Sequence, residues 1–177
     1  MTGIEGFLHR QGIPFQCFKH PAVRTCEESA RLCPEMPGMH TKNLFLKDEK
    51  NRRHMLLSLP HGKVAHLKEV GKMYGIKSPS LASVEDLKKY LGIEPGAVTL
   101  LGLMNDPDHH VEVFLDEELW KHDQIGCHPL VNTATFVIRR EDMEKFFRAT
   151  GHIYRVCAVP EKAPHPNPLP QGEGTVH

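Results

Sequence analysis

Three stretches set polar, hydrogen-bonding side chains directly against short β-prone apolar runs. One is Gly126-Cys127-His128-Pro129-Leu130-Val131-Asn132-Thr133-Ala134-Thr135, which leads into the run Thr135 to Ile138. Another is His40-Thr41-Lys42-Asn43-Leu44-Phe45-Leu46-Lys47-Asp48, with its apolar run at Leu44 to Leu46. Between them in sequence lies Pro95-Gly96-Ala97-Val98-Thr99-Leu100-Leu101-Gly102-Leu103-Met104-Asn105-Asp106. A polar cluster at a strand end is how a fold presents chemistry. Lys42 follows a loop and precedes a strand, where a lysine can anchor a phosphate as a point charge. Taken alone it reads as a surface lysine. Pro95-Gly96-Ala97 places small residues where a backbone must come close to something. Amides of such a loop can hold a water or a developing oxyanion without any side chain; taken alone it is a plain turn. Asn132 and Thr133 either bond a substrate or tie down the local backbone.

The familiar catalytic sets are missing. The chain has no GxSxG elbow, P-loop, GxGxxG or HExxH. Its 13 histidines invite a metal, and His109, His110, His122, Cys127 and His128 lie close in sequence. They lack regular ligand spacing, and the adjacent His109 and His110 in a strand-like run point to opposite faces. No metal and no cofactor is therefore expected. Cys127 beside His128 suggests a thiol nucleophile, but sequence neighbours diverge, particularly before a proline. Cys127 reads as a small core residue.

These residues need a scaffold. Thr2 can cap a first helix with Glu5 as its capping-box partner, Ile4, Phe7 and Leu8 on one face, and Gly12 as its end. Pro14 to Lys19 reads as a strand that His20-Pro21 breaks. Thr25 caps a second helix with Glu27 and Glu28 in its first turn. Pro34, Pro37 and Gly38 close it and open the loop that delivers Lys42. Asn43 to Lys47 and His54 to Leu59 form a hairpin. Val64 to Tyr74 has helical spacing and stops at Gly75. Ser83 caps a helix with Leu87 and Leu91 inward and Gly92 at its end. Val98 to Leu103 reads as a buried strand, Asn105 to His109 as a turn, and His110 to Leu115 as an alternating strand. Asp116 to Lys121 is a short helix, Thr135 to Ile138 a strand, Arg140 to Thr150 a helix, and Ile153 to Val159 a last strand. The interleaving predicts an α+β fold, one curved mixed sheet with flanking helices.

The chain's 177 residues suffice for one domain with a real core. That domain is expected over residues 1–158. Residues 159–177 form a proline-rich tail with Pro160, Pro164, Pro166, Pro168 and Pro170, a composition that builds no core element and predicts disorder. Net charge is zero, so nothing global announces a polyanion. A local basic bias runs from Lys42 to Lys77, which by itself reads as a solvated face. The five cysteines include no CxxC pair. With no signal peptide and no long apolar run, a cytoplasmic protein with reduced thiols and no membrane partner is expected.

Together the three stretches resemble the YbaK/prolyl-tRNA-synthetase-associated editing domain family, closest to its free-standing ProXp-ala (PrdX) group. The matching residues are His40 to Asp48, Pro95-Gly96-Ala97-Val98-Thr99 with Asn105-Asp106, His128-Pro129-Leu130 with Asn132, Ala134 and Thr135, and Thr150-Gly151-His152. The likeness spans about residues 1–157. It implies hydrolysis of the ester in a mischarged tRNA, here alanine on the proline tRNA. The acceptor end of that tRNA is the implied partner, and prolyl-tRNA synthetase a second candidate. Lys42 matches the family lysine that fixes the phosphate of the terminal adenosine. Gly96 opens the family's GxxxP loop, whose backbone positions the carbonyl and the attacking water; Ala97, Val98, Thr99 and Leu100 complete it. His128 matches a pocket histidine. Catalytic roles are thus expected for Lys42, Gly96 and His128. Substrate contacts are expected for Asn43, Ala97, Val98, Thr99, Leu100, Asn132 and Thr133. The family uses neither a metal nor a covalent nucleophile, and the adenosine's 2′-hydroxyl helps to activate water.

The chain departs from the family pattern at Leu100, where the loop usually ends in proline. Leucine restores a main-chain N–H and frees φ. Two alternatives stay open: another small amino acid as target (cysteine, serine or 2-aminobutyrate), or a silent tRNA- or synthetase-binding module. Editing itself has a physical reason. A pocket built for proline rejects alanine by only about 1–3 kcal/mol, so a second, smaller site is needed.

Overall fold

The computed structural model describes residues 3–22, 31, 32 and 36–162. The second helix expected after Thr25 lies largely outside them, as do Thr2 and the chain beyond Lys162.

Helix α1 (Gly3–Arg10) buries Ile4 and Leu8. Eight residues do not hold a helix alone in water. Two buried aliphatic side chains, each contributing about 1.5–3 kcal/mol, dock it on the core. Strand β1 (Gln16–Lys19) follows. Strands β2 (Met39–Lys47) and β3 (His54–Pro60) are the expected antiparallel hairpin, with Leu44 opposite Leu57 and Lys42 opposite Leu59. Helix α2 (Leu67–Tyr74) ends at Gly75, and a two-residue strand β4 (Ser80–Leu81) returns to β2. Helix α3 (Val84–Leu91) starts as its sequence signals: Ser83 Oγ accepts from the Asp86 N–H. A 3₁₀ turn (Leu100–Asn105) leads to β5 (Val111–Asp116) and to the short α4 (Glu117–Trp120), which Asp116 caps. Strands β6 (Gln124–Cys127) and β7 (Ala134–Arg139), helix α5 (Arg140–Thr150) and strand β8 (Tyr154–Cys157) complete the chain.

All the strands join one open mixed sheet of order β1-β7-β6-β2-β3-β5-β8, with β4 paired to β2. The larger core lies on one face, where Phe45, Leu56 and Phe136 meet α1, α3, the 3₁₀ turn and α5. A smaller one on the other face joins Leu44, Leu46, Leu57 and Leu59 to Val70 of α2. The expected mixed α+β architecture is what the chain adopts.

Three local expectations need correction. Val98 to Leu103 is not a strand. Thr99 Oγ1 accepts from the Leu101 N–H and the Thr99 carbonyl accepts from Gly102, which turns the apolar run into a 3₁₀ coil. The helix expected from Val64 begins only at Leu67. Ala65 bridges Glu161, His66 N–H bonds the Pro160 carbonyl, and Lys162 N–H bonds the Val64 carbonyl. That pairing also holds the main chain against the domain as far as Lys162. Strands β4 and β6 were not anticipated.

Asp106 and His152, both quoted in the family likeness, form a buried pin. Asp106 accepts from the His110 and Val111 N–H groups at 3.1 and 2.8 Å and meets His152 Nε2 at 2.9 Å. This fastens the start of β5 to the end of α5. Gly151, at φ +81, caps α5, and a Cβ there would meet His109 Nε2 at 2.6 Å. Asp106→Ala would orphan two amides and a buried imidazole. It is expected to lower stability by about 2–4 kcal/mol in urea unfolding. A loss below about 0.5 kcal/mol, the usual surface value, would contradict the pin.

Candidate functional site

The site grows from a break in the sheet. One edge of β2 is fully paired to β3. The other edge pairs with β6 only at Met39 and His40 and with β4 only at Leu46 and Lys47. Between these contacts β2 faces an opening, and the loop from Glu94 to Thr99 is tied in there.

The loop begins as a β-turn. Ala97 N–H bonds the Glu94 carbonyl, with Pro95 and Gly96 between them. Gly96 has φ +94, as the third position of a type II turn requires, which is why a glycine stands here. Ala97 to Leu100 are buried. Among the described residues, the Val98, Thr99 and Leu100 N–H groups have no main-chain acceptor. The side chains of Ala97, Val98 and Leu100 pack into the larger core, so what the loop can offer a ligand is its backbone.

Asn43 fixes this loop. Its side chain is buried, its Nδ2 donates to the Val98 carbonyl at 3.2 Å, and its Oδ1 accepts from Ser58 Oγ at 2.7 Å. Thr41 Oγ1 donates to the Gly126 carbonyl at 2.7 Å, closing the β6 side of the opening. Side chains alternate along a strand, so Asn43 faces the larger core and Lys42 the other face. Lys42 is half-buried in mid-strand. Lys42 and Asn43 therefore flank the β2 edge from opposite faces.

His128 lies on the Lys42 face. Its Nδ1–H donates to the Ala134 carbonyl at 3.1 Å, which leaves Nε2 as the lone-pair nitrogen. Burial holds its pKa below the ordinary 6.5, the bond to Ala134 opposes this, and nearby His20 adds to it. A neutral imidazole with a bare Nε2 can accept a proton or a hydrogen bond. Neighbouring His20 is buried; its Nδ1–H donates to the Pro21 carbonyl and its Nε2 accepts from Thr135 Oγ1, both at 2.9 Å. His40 and His61 stand close by, their rings 5.8 Å apart. Cys127 points into the larger core, and burial pushes its thiol up to about 12, so it is no thiolate at neutral pH.

The structure thus ties the Gly96 loop to β2 through Asn43 and sets His128 near His40, which leaves β2 on the same face as Lys42. Thr133 and Asn132 lie in the β6–β7 connection; Thr133 is exposed and its carbonyl accepts from His20 N–H at 3.0 Å, and Asn132 is half-buried. Sequence reasoning gave no role to His20, His40 or His61. The His20-Pro21 break and His61 directly after Pro60 were the available signals, but only strand register brings them together.

Among the described residues, no three histidine, cysteine or acidic side chains are placed to hold a metal ion. No described helix is long and apolar enough to cross a membrane. The basic bias is partly neutralised: Arg53 pairs with Glu112, Lys63 with Asp116, Lys72 with Glu69 and Lys77 with Glu49.

With this geometry in view, the chain's relatives are informative. The aminoacyl-tRNA editing domain matches residues 20–146, and the chain belongs to that family. It is 38% identical over 151 residues to the prolyl-tRNA synthetase associated domain-containing protein 1 of Danio rerio, covering 84% of this chain and 82% of that one. It is 35% identical over 147 residues to the prolyl-tRNA editing protein ProX of Acetoanaerobium sticklandii, covering 83% and 90%. Its fold matches the crystal structure of a candidate trans-editing enzyme for prolyl tRNA synthetase with a TM-score of 0.64, at 18% identity, covering 93% of this chain and 99% of that one.

Asn43→Ala would strip the Val98 carbonyl and Ser58 of a buried partner. It is expected to cost about 1–3 kcal/mol in stability and to speed hydrogen exchange at Ala97 to Leu100 selectively. Unchanged exchange in that loop would show that something else holds it.

Proposed function

We propose that this protein is a trans-editing deacylase that hydrolyses the ester joining alanine to the acceptor end of the proline tRNA. The observation that carries this is the Gly96 loop, fastened to β2 by Asn43, with Val98, Thr99 and Leu100 amides that have no main-chain acceptor among the described residues. Membership of the editing family and relatives named for prolyl-tRNA editing support it.

In this reading Lys42 holds the phosphate of the terminal adenosine as a point charge. The loop amides of Val98, Thr99 and Leu100 receive the carbonyl oxygen as it gains charge. Fixed donors of this kind stabilise a tetrahedral intermediate in a water-poor site. Water adds to the carbonyl carbon. The ribose oxygen then leaves and takes up a proton, giving alanine and free tRNA. His128, neutral with Nε2 bare, accepts a hydrogen bond from the water or the amino group. The ribose 2′-hydroxyl assists the water, and neither a metal nor a covalent intermediate takes part. Leu100 supplies one amide that a proline could not.

Single-turnover deacylation of alanyl-, cysteinyl- and prolyl-tRNA(Pro) in the presence of EDTA tests this. Alanine should be released fastest and proline spared, and Lys42→Ala should slow release by about 100-fold or more. Preferential loss of cysteine would move the target to another small amino acid. No loss of any of the three would leave a binding module that serves tRNA or prolyl-tRNA synthetase.

A further inference from the structure

The histidines beside the opening form a larger group than the hydrolytic reading uses. His40 precedes Lys42 by two positions in β2, so both side chains leave the strand on one face. His61 follows the end of β3, and its N–H bonds the His40 carbonyl at 3.0 Å. The two rings meet edge to face, 5.8 Å apart and inclined at 70°. His61 Nδ1 is buried with no hydrogen-bond partner among the described residues. A buried nitrogen of this kind is costly unless something that binds there completes it.

The charges around the pair decide what that is. Among the described residues, the titratable groups facing His40 are His61, His128 and His20, one from each neighbouring segment, and no carboxylate. The carboxylate of Asp116 is engaged by Lys63 at 2.8 Å. Lys42 adds a positive charge on the same face. A cationic ligand would be repelled here. An anion would meet one lysine and the imidazoles of His40 and His61.

We propose that His40 and His61 extend the Lys42 site for the RNA's terminal phosphodiester, and that binding takes up a proton at His40, against which the His61 ring packs. The proposal rests on the aminoacyl-tRNA reading for the identity of the anion. In the free protein, burial and the neighbouring rings keep His40 neutral, below the ordinary 6.5. A phosphate brings negative charge next to the pair and reverses that preference. Protonation then makes both His40 ring nitrogens donors that the phosphate can use. Affinity must rise as pH falls, by up to about tenfold per pH unit for each proton taken up.

The test uses the full chain and an uncharged RNA hairpin ending in CCA, so that hydrolysis plays no part. Titration calorimetry from about pH 6 to about pH 8, at fixed ionic strength and in two buffers of different ionisation heat, reads affinity and proton uptake together. Wild type should bind at least about threefold more tightly at the acid end and take up a fraction of a proton. His40→Gln should flatten this dependence, and His61→Gln, which removes the ring that faces His40, should change its slope, while binding at the alkaline end stays within about twofold. Lys42→Ala should weaken binding at every pH and keep the slope. A wild type with no pH dependence, or both glutamine variants with the full wild-type slope, overturns the proposal. If one glutamine variant does not fold, the other decides. Because the RNA is uncharged, a failure to release alanine in the deacylation assay leaves this experiment intact, and the reverse also holds.

Discussion

The Asn43 side chain is the joint on which the site depends. It is buried, it reaches the Val98 carbonyl and it receives the Ser58 hydroxyl. Without it the loop after α3 would have no side-chain tie to β2, because the sheet offers no ladder partner there: β6 has already parted from β2 and β4 has not yet joined it. A buried amide left half-satisfied is expensive, so the three groups hold one another in a single arrangement. Thr41 does the same for β6 through the Gly126 carbonyl. Two successive odd positions of one strand therefore position the two neighbouring segments. The even positions, His40 and Lys42, lie on the other face of the sheet.

Preorganisation of this kind suits a site that works with backbone donors. The Gly96 turn and the Thr99 cap fix the chain on both sides of Val98, and the buried side chains of Ala97, Val98 and Leu100 anchor it to the core. In the proposed reaction the amides are held without reorganisation as charge develops. Burial also sets the protonation states. It favours the neutral form of His128 and keeps the core-facing Cys127 a thiol.

Much of the scaffold was legible because local signals agreed with tertiary demand. Ser83 and Gly92 bracket α3, Gly151 stops α5, and the Asp48 to Arg53 link closes the hairpin. The sequence misled where tertiary partners outbid local pattern. Val98 to Leu103 has the composition of a strand, yet the Thr99 hydroxyl turns it, and Gly102 fits with Ile93 Cδ1 where its Cβ would stand. Strand β6 is short and holds Gly126, whose bare backbone Thr135 and Met36 approach closely, so neither periodicity nor propensity marks it. Lys42, the Gly96 loop and His128 were singled out through their resemblance to a known family. The β2–β6 register, which no local spacing encodes, brings the β6 end alongside His40. His20 and His61 join His40 and His128 through the same register, and the neighbouring prolines are their local marks.

The central claim is that a small aminoacyl ester is held at the opening between β6 and β4. Binding of a non-hydrolysable alanyl-adenosine analogue, with an amide in place of the ester, tests it most directly by nuclear magnetic resonance. The account predicts shifts in the backbone amides from Gly96 to Leu100 and in the His128 ring. Shifts confined elsewhere, such as the groove lined by His109, Val113 and Ile153, with the Gly96 loop and His128 unmoved, would contradict it.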